Sequence, residues 1–211
     1  CRTDLEIYDR ELGYYKSGHA RYPIVPGHEF SGEIVQTGAN VRDLKAGDRV
    51  VGECIIPCGL CPSCAAQQPD ACSNRREVGV VNYDGAYARF VPMPADRVHK
   101  VPQGVDPSAA ALAEPLAVVS KALRRVRTHW AGRRPRCAVL GAGPIGNLFA
   151  QVLVAAGHEV VVYDSKPDRL EFLKKKVGTS DRLEHLDRFE TVVEATGRRE
   201  VKVGGGLLRC A

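Results

Sequence analysis

Cys137-Ala138-Val139-Leu140-Gly141-Ala142-Gly143-Pro144-Ile145-Gly146 is the stretch on which the fold turns. Four apolar residues read as a buried strand, and the glycines that follow read as G-x-G-x-x-G. Residues 145–156 then read as a helix closed by Gly157. The glycine pattern alone is weak evidence. Its position between an apolar strand and a helix gives it meaning. Working outward, residues 159–163 form the next strand, ending at Asp164, 18 residues after Gly146. A second helix is expected over 167–177, closed by Gly178, and a third strand over 191–195. Strand-helix-strand alternation predicts a parallel α/β sheet.

Such a turn has a chemical use. Gly141 makes the tight bend, Gly143 lets a pyrophosphate approach the backbone, and Gly146 lets helix and strand pack closely. The helix that starts at Pro144 and Ile145 offers unbonded N–H groups and partial positive charge to phosphates. Asp164 is placed to accept hydrogen bonds from the adenine-ribose hydroxyls and to repel a 2′-phosphate. NAD is therefore favoured, while Lys166 and Arg169 nearby keep NADP possible. Thr196, with Gly197, is a candidate floor for the nicotinamide half. The plainer alternative is a strand-turn-helix whose glycines serve geometry alone, with Asp164 as a helix cap.

The first half reads differently. Phe30-Ser31-Gly32-Glu33-Ile34-Val35 and Gly47-Asp48-Arg49-Val50-Val51 are strand candidates, and Ala86-Tyr87-Ala88-Arg89-Phe90-Val91 alternates until Pro92 ends it. Short strands at this spacing predict a β-barrel-like domain. Near Pro107 the pattern changes. Ser108 is placed to cap a helix over 109–126, and Pro115 inside that helix predicts a break into two pieces.

Composition narrows the function classes. Of 211 residues, 44% are apolar, enough for a core, and the net charge of +5 is modest. Arg124-Arg125-Val126-Arg127 and Arg133-Arg134 lack interleaved aromatics and read as solvated faces, which argues against a nucleic-acid partner. No apolar run approaches the roughly 20 residues of a membrane span, and no leader peptide is legible, so the expectation is a cytoplasmic protein. The chain opens on Cys1 and closes on Gly204-Gly205-Gly206-Leu207-Leu208-Arg209-Cys210-Ala211. These ends predict a fragment of a longer protein, poorly stable alone.

Four of the eight cysteines crowd together: Cys58, Cys61, Cys64 and Cys72 read C-x2-C-x2-C-x7-C. Two-residue gaps let successive thiolates converge on one ion, and a fourth completes a closed tetrahedron, the signature of structural zinc. Inert or redox-active cysteines are the alternative. Cys54, Cys137 and Cys210 are left over, and Cys137 is most simply a core residue.

A catalytic zinc needs about three protein ligands and one open position. Cys1, His28 and Glu114 would supply sulfur, nitrogen and oxygen. Thr3, two residues on, would share the face of Cys1 on an extended segment and take an alcohol proton. Asp4 would accept from the other ring nitrogen of His28. Spacing alone does not single these residues out.

Taken together and in order, Cys1-Arg2-Thr3-Asp4, Gly27-His28-Glu29, Gly47-Asp48-Arg49-Val50, the four-cysteine lobe, Glu114-Pro115-Leu116 and the turn from Gly141 to Gly146 resemble the zinc-dependent alcohol dehydrogenases of the medium-chain dehydrogenase/reductase family. The resemblance implies an α/β two-domain protein. Residues 1–115 would be a GroES-like β-barrel catalytic domain with a structural-zinc lobe at 54–74. Residues 116–211 would be a truncated Rossmann domain with an incomplete doubly wound parallel sheet, a cleft lying between the two. It also implies that Cys1 and His28 are zinc ligands, that Glu29 lies beside the metal, that Arg2 contacts the cofactor pyrophosphate, and that Thr3 relays a proton.

Glu114 stands where classical alcohol dehydrogenases have cysteine, and so resembles the sorbitol, polyol and sugar dehydrogenase branch. Glu6 replaces a relay histidine, and residues 179–188 are short for the usual third strand. The implied protein binds two Zn2+ and NAD, oxidises a secondary alcohol of a polyol or sugar, and works as a homo-oligomer, dimer or tetramer. Threonine, glucose and simple alcohol dehydrogenases stay open as alternatives. From another class, so does a zinc-stabilised, cofactor-binding scaffold without turnover.

Overall fold

In the computed structural model, which describes residues 2–182, 185–198, 200–203 and 206–209, the chain divides into two units, Cys1–Pro115 and Leu116–Ala211. Unit 1 opens with two short helices, α1 (Arg2–Tyr8) and α2 (Gly13–Lys16). Ile7 of α1 is buried with Ala20, Val80 and Val81. The Tyr22 hydroxyl donates to the Ile7 carbonyl at 2.5 Å and the Tyr15 hydroxyl to that of Val80 at 2.8 Å. Burial pushes Tyr15 up to about 12, so it stays a protonated donor. The segment expected to be extended at Thr3 is therefore helical. Residues two apart on a helix do not share a face.

Six short strands follow: β1 (Ser31–Glu33), β2 (Arg49–Gly52), β3 (Ile55–Ile56), β4 (Arg76–Val78), β5 (Asn82–Tyr83) and β6 (Val98–Lys100). They make two three-stranded sheets, ordered β1-β2-β6 and β3-β4-β5. Residues 86–91 are not a strand, despite their alternation. The N–H groups of Gly85, Ala86 and Tyr87 donate instead to the carbonyls of Val25, Gly27 and Pro26, which fixes the segment against a loop. Past the sheets, Asp106 and not Ser108 caps the next helix, its carboxylate accepting from the N–H groups of Ser108 and Ala109. A short helix α3 (Pro62–Ala65) lies between β3 and β4, and the helical stretch does come in two pieces, α4 (Pro107–Ala110) and α5 (Ala113–Trp130). The break falls before Pro115, which sits in the first turn of α5, where a missing N–H costs little.

Unit 2 is built on β7 (Cys137–Leu140), α6 (Pro144–Ala155), β8 (Val160–Tyr163), α7 (Pro167–Glu171), β9 (Gly178–Ser180) and β10 (Thr191–Glu194). The four strands are parallel in the order β10-β7-β8-β9. That is 3-2-1-4 read from the far edge, the doubly wound order, with its reversal between β7 and β10. Two expectations need correcting. α7 ends at Glu171, its continuation to Val177 being single turns, and Gly178 begins a strand where it was expected to close a helix. Residues 191–194 are accordingly the fourth strand. β7 is wholly buried, and Cys137 lies in the core with Val139, Phe149, Leu153, Val162 and Trp130. The Trp130 indole N–H donates to Thr191 Oγ1 at 3.0 Å, and the ring packs on His158 at 4.7 Å between centroids. A two-stranded antiparallel ribbon, β11 (Glu200–Val203) with β12 (Gly206–Arg209), follows. No helix among the described residues is long and apolar enough to cross a membrane.

Candidate functional site

Unit 1 brings His28, Glu29 and Glu114 together: one donor atom from each lies within 4.8 Å of the others. Two elements and a loop achieve this. Glu114 stands in the first turn of α5. His28 is buried and follows Gly27, whose φ of +99° only glycine adopts freely. The Gly27 N–H donates to Asp4 Oδ1 on α1 at 3.1 Å, and the same oxygen lies 3.6 Å from His28 Nδ1. α1 is in turn anchored through Ile7. Burial raises the Glu114 carboxyl above its ordinary range; His28 opposes that shift and Glu29 adds to it.

A nitrogen and two carboxylates suit a hard-to-borderline divalent ion such as zinc, so the donor set fits. Cys1 lies outside the described residues. Arg2 is exposed and pairs with Glu6 at 3.3 Å. Glu29, expected beside the metal, has a carboxylate oxygen within 4.8 Å of the His28 and Glu114 donor atoms.

The lobe cysteines form a second cluster, all four sulfurs within 4.8 Å. Cys58 and Cys64 sulfurs are 3.9 Å apart and those of Cys61 and Cys64 3.5 Å. A tetrahedron of zinc–sulfur bonds of about 2.3 Å has edges of about 3.8 Å, so the spacing fits. Gly59, at φ +76°, turns the chain between the first two cysteines, and α3 puts Cys64 one turn after Cys61. The Leu60 N–H, then the Cys72 thiol, hold Cys58 down to about 6, and the Cys64 N–H chiefly lowers Cys61. Burial first, then the Cys61 thiol, pushes Cys64 up to about 11. Sulfurs this close cannot all ionise unless a cation joins them.

In unit 2 the glycine turn has the geometry a phosphate needs. Gly141, at φ +101°, abuts the backbone of Ala195 and Thr196, where a Cβ would stand 3.0–3.1 Å away. A Cβ on Gly146 would strike the Gly141 carbonyl oxygen. At Gly143, the residue capping α6, a Cβ would meet nothing within 4 Å. Internal packing therefore does not require glycine there, whereas an approaching phosphate does. Gly143→Ala is accordingly expected to leave the melting temperature unchanged and weaken NAD binding at least about tenfold, a loss of about 1.4 kcal/mol. Calorimetric titration checks this, and unchanged affinity would remove the phosphate role.

Asp164 is turned inward: Oδ2 accepts from the Ala142 N–H at 2.8 Å and Oδ1 from that of Lys166 at 2.9 Å, with Arg169 Nη1 3.6 Å away. It ties β8 to the glycine turn, and two of its roughly four acceptor positions remain. The Thr196 N–H and hydroxyl both donate to Glu194 Oε1.

Residues 1–103 match the alcohol dehydrogenase GroES-like domain family and residues 136–202 the 3-hydroxyacyl-CoA dehydrogenase NAD binding domain family. The chain is 36% identical over 206 residues to a D-altritol 5-dehydrogenase of Agrobacterium fabrum, covering 93% of itself and 59% of that protein. It is 39% identical over 215 residues to an L-threonine 3-dehydrogenase of Streptomyces coelicolor, covering 98% and 57%. Its fold is similar to that of a Sinorhizobium meliloti 1021 protein assigned as a zinc-binding dehydrogenase and solved with NADP. The TM-score is 0.80 at 27% identity, covering 94% of this chain and 60% of that one. The chain thus spans somewhat under two thirds of the length of the proteins it matches.

Proposed function

The chain belongs to the zinc-dependent medium-chain alcohol and polyol dehydrogenases, and from that premise we propose that it passes hydride between a secondary alcohol of a polyol or sugar and NAD(P). The observation that carries this reading is the convergence of His28, Glu29 and Glu114 in unit 1. Residues 1–115 act as the catalytic domain, 54–74 as its structural lobe and 116–211 as the cofactor domain. Two zinc ions are proposed, one held by Cys58, Cys61, Cys64 and Cys72 and one by Cys1, His28 and Glu114, with Glu29 within reach. Bound at the second site, zinc supplies a Lewis acid that makes an alcohol hydroxyl more acidic, and NAD(P) supplies the hydride acceptor.

The chain's own residues do the rest. By resemblance to the family, Thr3 takes the hydroxyl proton. Asp4 holds the imidazole of His28 in orientation, a contact from outside the ligand set that commonly matters to affinity. Gly141, Gly143, Pro144, Ile145 and Gly146 receive the pyrophosphate, with Arg2 as a counter-charge. Asp164 accepts from the ribose through the positions its two N–H bonds leave, and Thr196 lies under the nicotinamide half. By resemblance to the family, the proposal extends to a cytoplasmic homo-oligomer, dimer or tetramer.

A screen of NAD and NADP against polyols, aldoses, L-threonine and simple alcohols tests it. The expected result is a kcat/KM at least about tenfold higher for a polyol than for L-threonine, a difference of about 1.4 kcal/mol. Preference for L-threonine would select the second reading, which the 39% identity to a threonine dehydrogenase favours. No turnover with only one zinc per chain would leave a cofactor-binding scaffold.

A further inference from the structure

Gly27, the residue that sets His28, lies in an unusually close meeting of backbones. A Cβ at Gly79 would stand 2.5 Å from the Gly27 carbonyl oxygen and 2.7 Å from its nitrogen. A Cβ at Gly85 would strike the same oxygen and stand 2.6 Å from both Gly79 Cα and the Pro26 oxygen. On another side, a Cβ at Gly27 would meet Tyr87 Cδ1 at 2.7 Å. The hydrogen bonds are equally local. The Ala86 N–H donates to the Gly27 carbonyl at 2.8 Å, that of Gly85 to Val25 at 2.7 Å, and that of Gly27 to Asp4. Three chain segments thus meet around Gly27 with no side chain between them.

We infer that Gly79 and Gly85 are positioning residues for the metal site: their side-chain-free clasp on Gly27 sets where the His28 imidazole stands against Glu114 and Glu29. Gly79 has φ +68°, so its turn already favours glycine. Gly85 does not. It has no left-handed φ, so its own backbone would accept any residue, and only the approach of Gly27 forbids one. Added bulk there pushes on Gly27 and its neighbour His28. A misplacement of about 1 Å is enough to cost two decades in position-dependent chemistry. The inference rests on the proposed zinc site at His28.

Cobalt uptake by the zinc-depleted protein tests it without recourse to turnover. Wild type should bind two cobalt ions per chain. Gly85→Ala should keep the intense thiolate charge-transfer band of the four-cysteine site and bind the other ion at least tenfold more weakly, and Gly85→Val should lose that ion. Gly32→Ala, whose Cβ would meet nothing within 4 Å, should retain both and serves as the control. Wild-type affinity for both ions in Gly85→Ala overturns the inference. So does parallel loss of both ions, which would make the clasp a requirement of the unit's folding rather than of the site. If wild type itself takes up only the four-cysteine ion, the zinc reading at His28 fails, a result distinct from either.

Discussion

His28→Ala should remove one zinc per chain and lower turnover by about a thousandfold while leaving dinucleotide binding intact. Lewis-acid assistance contributes several kcal/mol to such a reaction, and each 1.36 kcal/mol is a factor of ten in rate. His28 is the only nitrogen donor of the cluster and its most buried member. Without it, the described residues leave two carboxylates to hold the ion, one of them exposed. The glycine turn and Asp164 lie in unit 2, outside the unit that carries His28, so NAD affinity should not move. Metal analysis beside steady-state kinetics checks the result. Turnover within tenfold of wild type after loss of the ion would refute the metal assignment.

Cys72→Ser should be nearly as damaging, but to stability. Cys72 is fully buried, and its sulfur accepts the Cys58 N–H at 3.4 Å. Structural zinc sites contribute about 10–16 kcal/mol in apparent binding energy at neutral pH, comparable to the whole stability of a domain at about 5–15 kcal/mol. Losing even about 4 kcal/mol of that should lower the melting temperature of unit 1 by at least about 15 °C. The lobe lies in the chain between β3 and β4, so its loosening also frees the strands that lead to Gly79 and Gly85. Thermal melts followed by circular dichroism measure this, and a strong chelator should reproduce the shift in wild type. A melt unchanged in both cases would make the four cysteines inert.

Much of this was legible in the sequence, where the cause is local. The glycine turn reads correctly because strand, turn and helix are contiguous and each glycine answers to a neighbour. The cysteine lobe reads correctly because two-residue spacing already dictates convergence. Most of what failed depended on partners far away in the chain. Residues 86–91 alternate like a strand, but the N–H groups of Ala86 and Tyr87 are taken by a loop some 60 positions earlier. Asp106 caps instead of Ser108 because the helix already starts at Pro107, which leaves Ser108 inside its first turn. Thr3 was placed on an extended segment because nothing in seven residues announces that Ile7 will be anchored from Ala20 and Val80. Gly79 and Gly85 gave no signal at all beyond being glycine.

Trp130, the chain's single tryptophan, gives unit 2 a built-in optical reporter. Its indole is buried in the core with β7, α6 and β8, with its N–H engaged by Thr191 at the start of β10. Emission excited selectively in tryptophan therefore originates in unit 2 alone, and its red shift on heating tracks the opening of that unit. Unit 1 has tyrosines but no such fluorophore. Unfolding of the two halves can thus be separated in one sample, without labels, by comparing the emission melt with the circular dichroism melt.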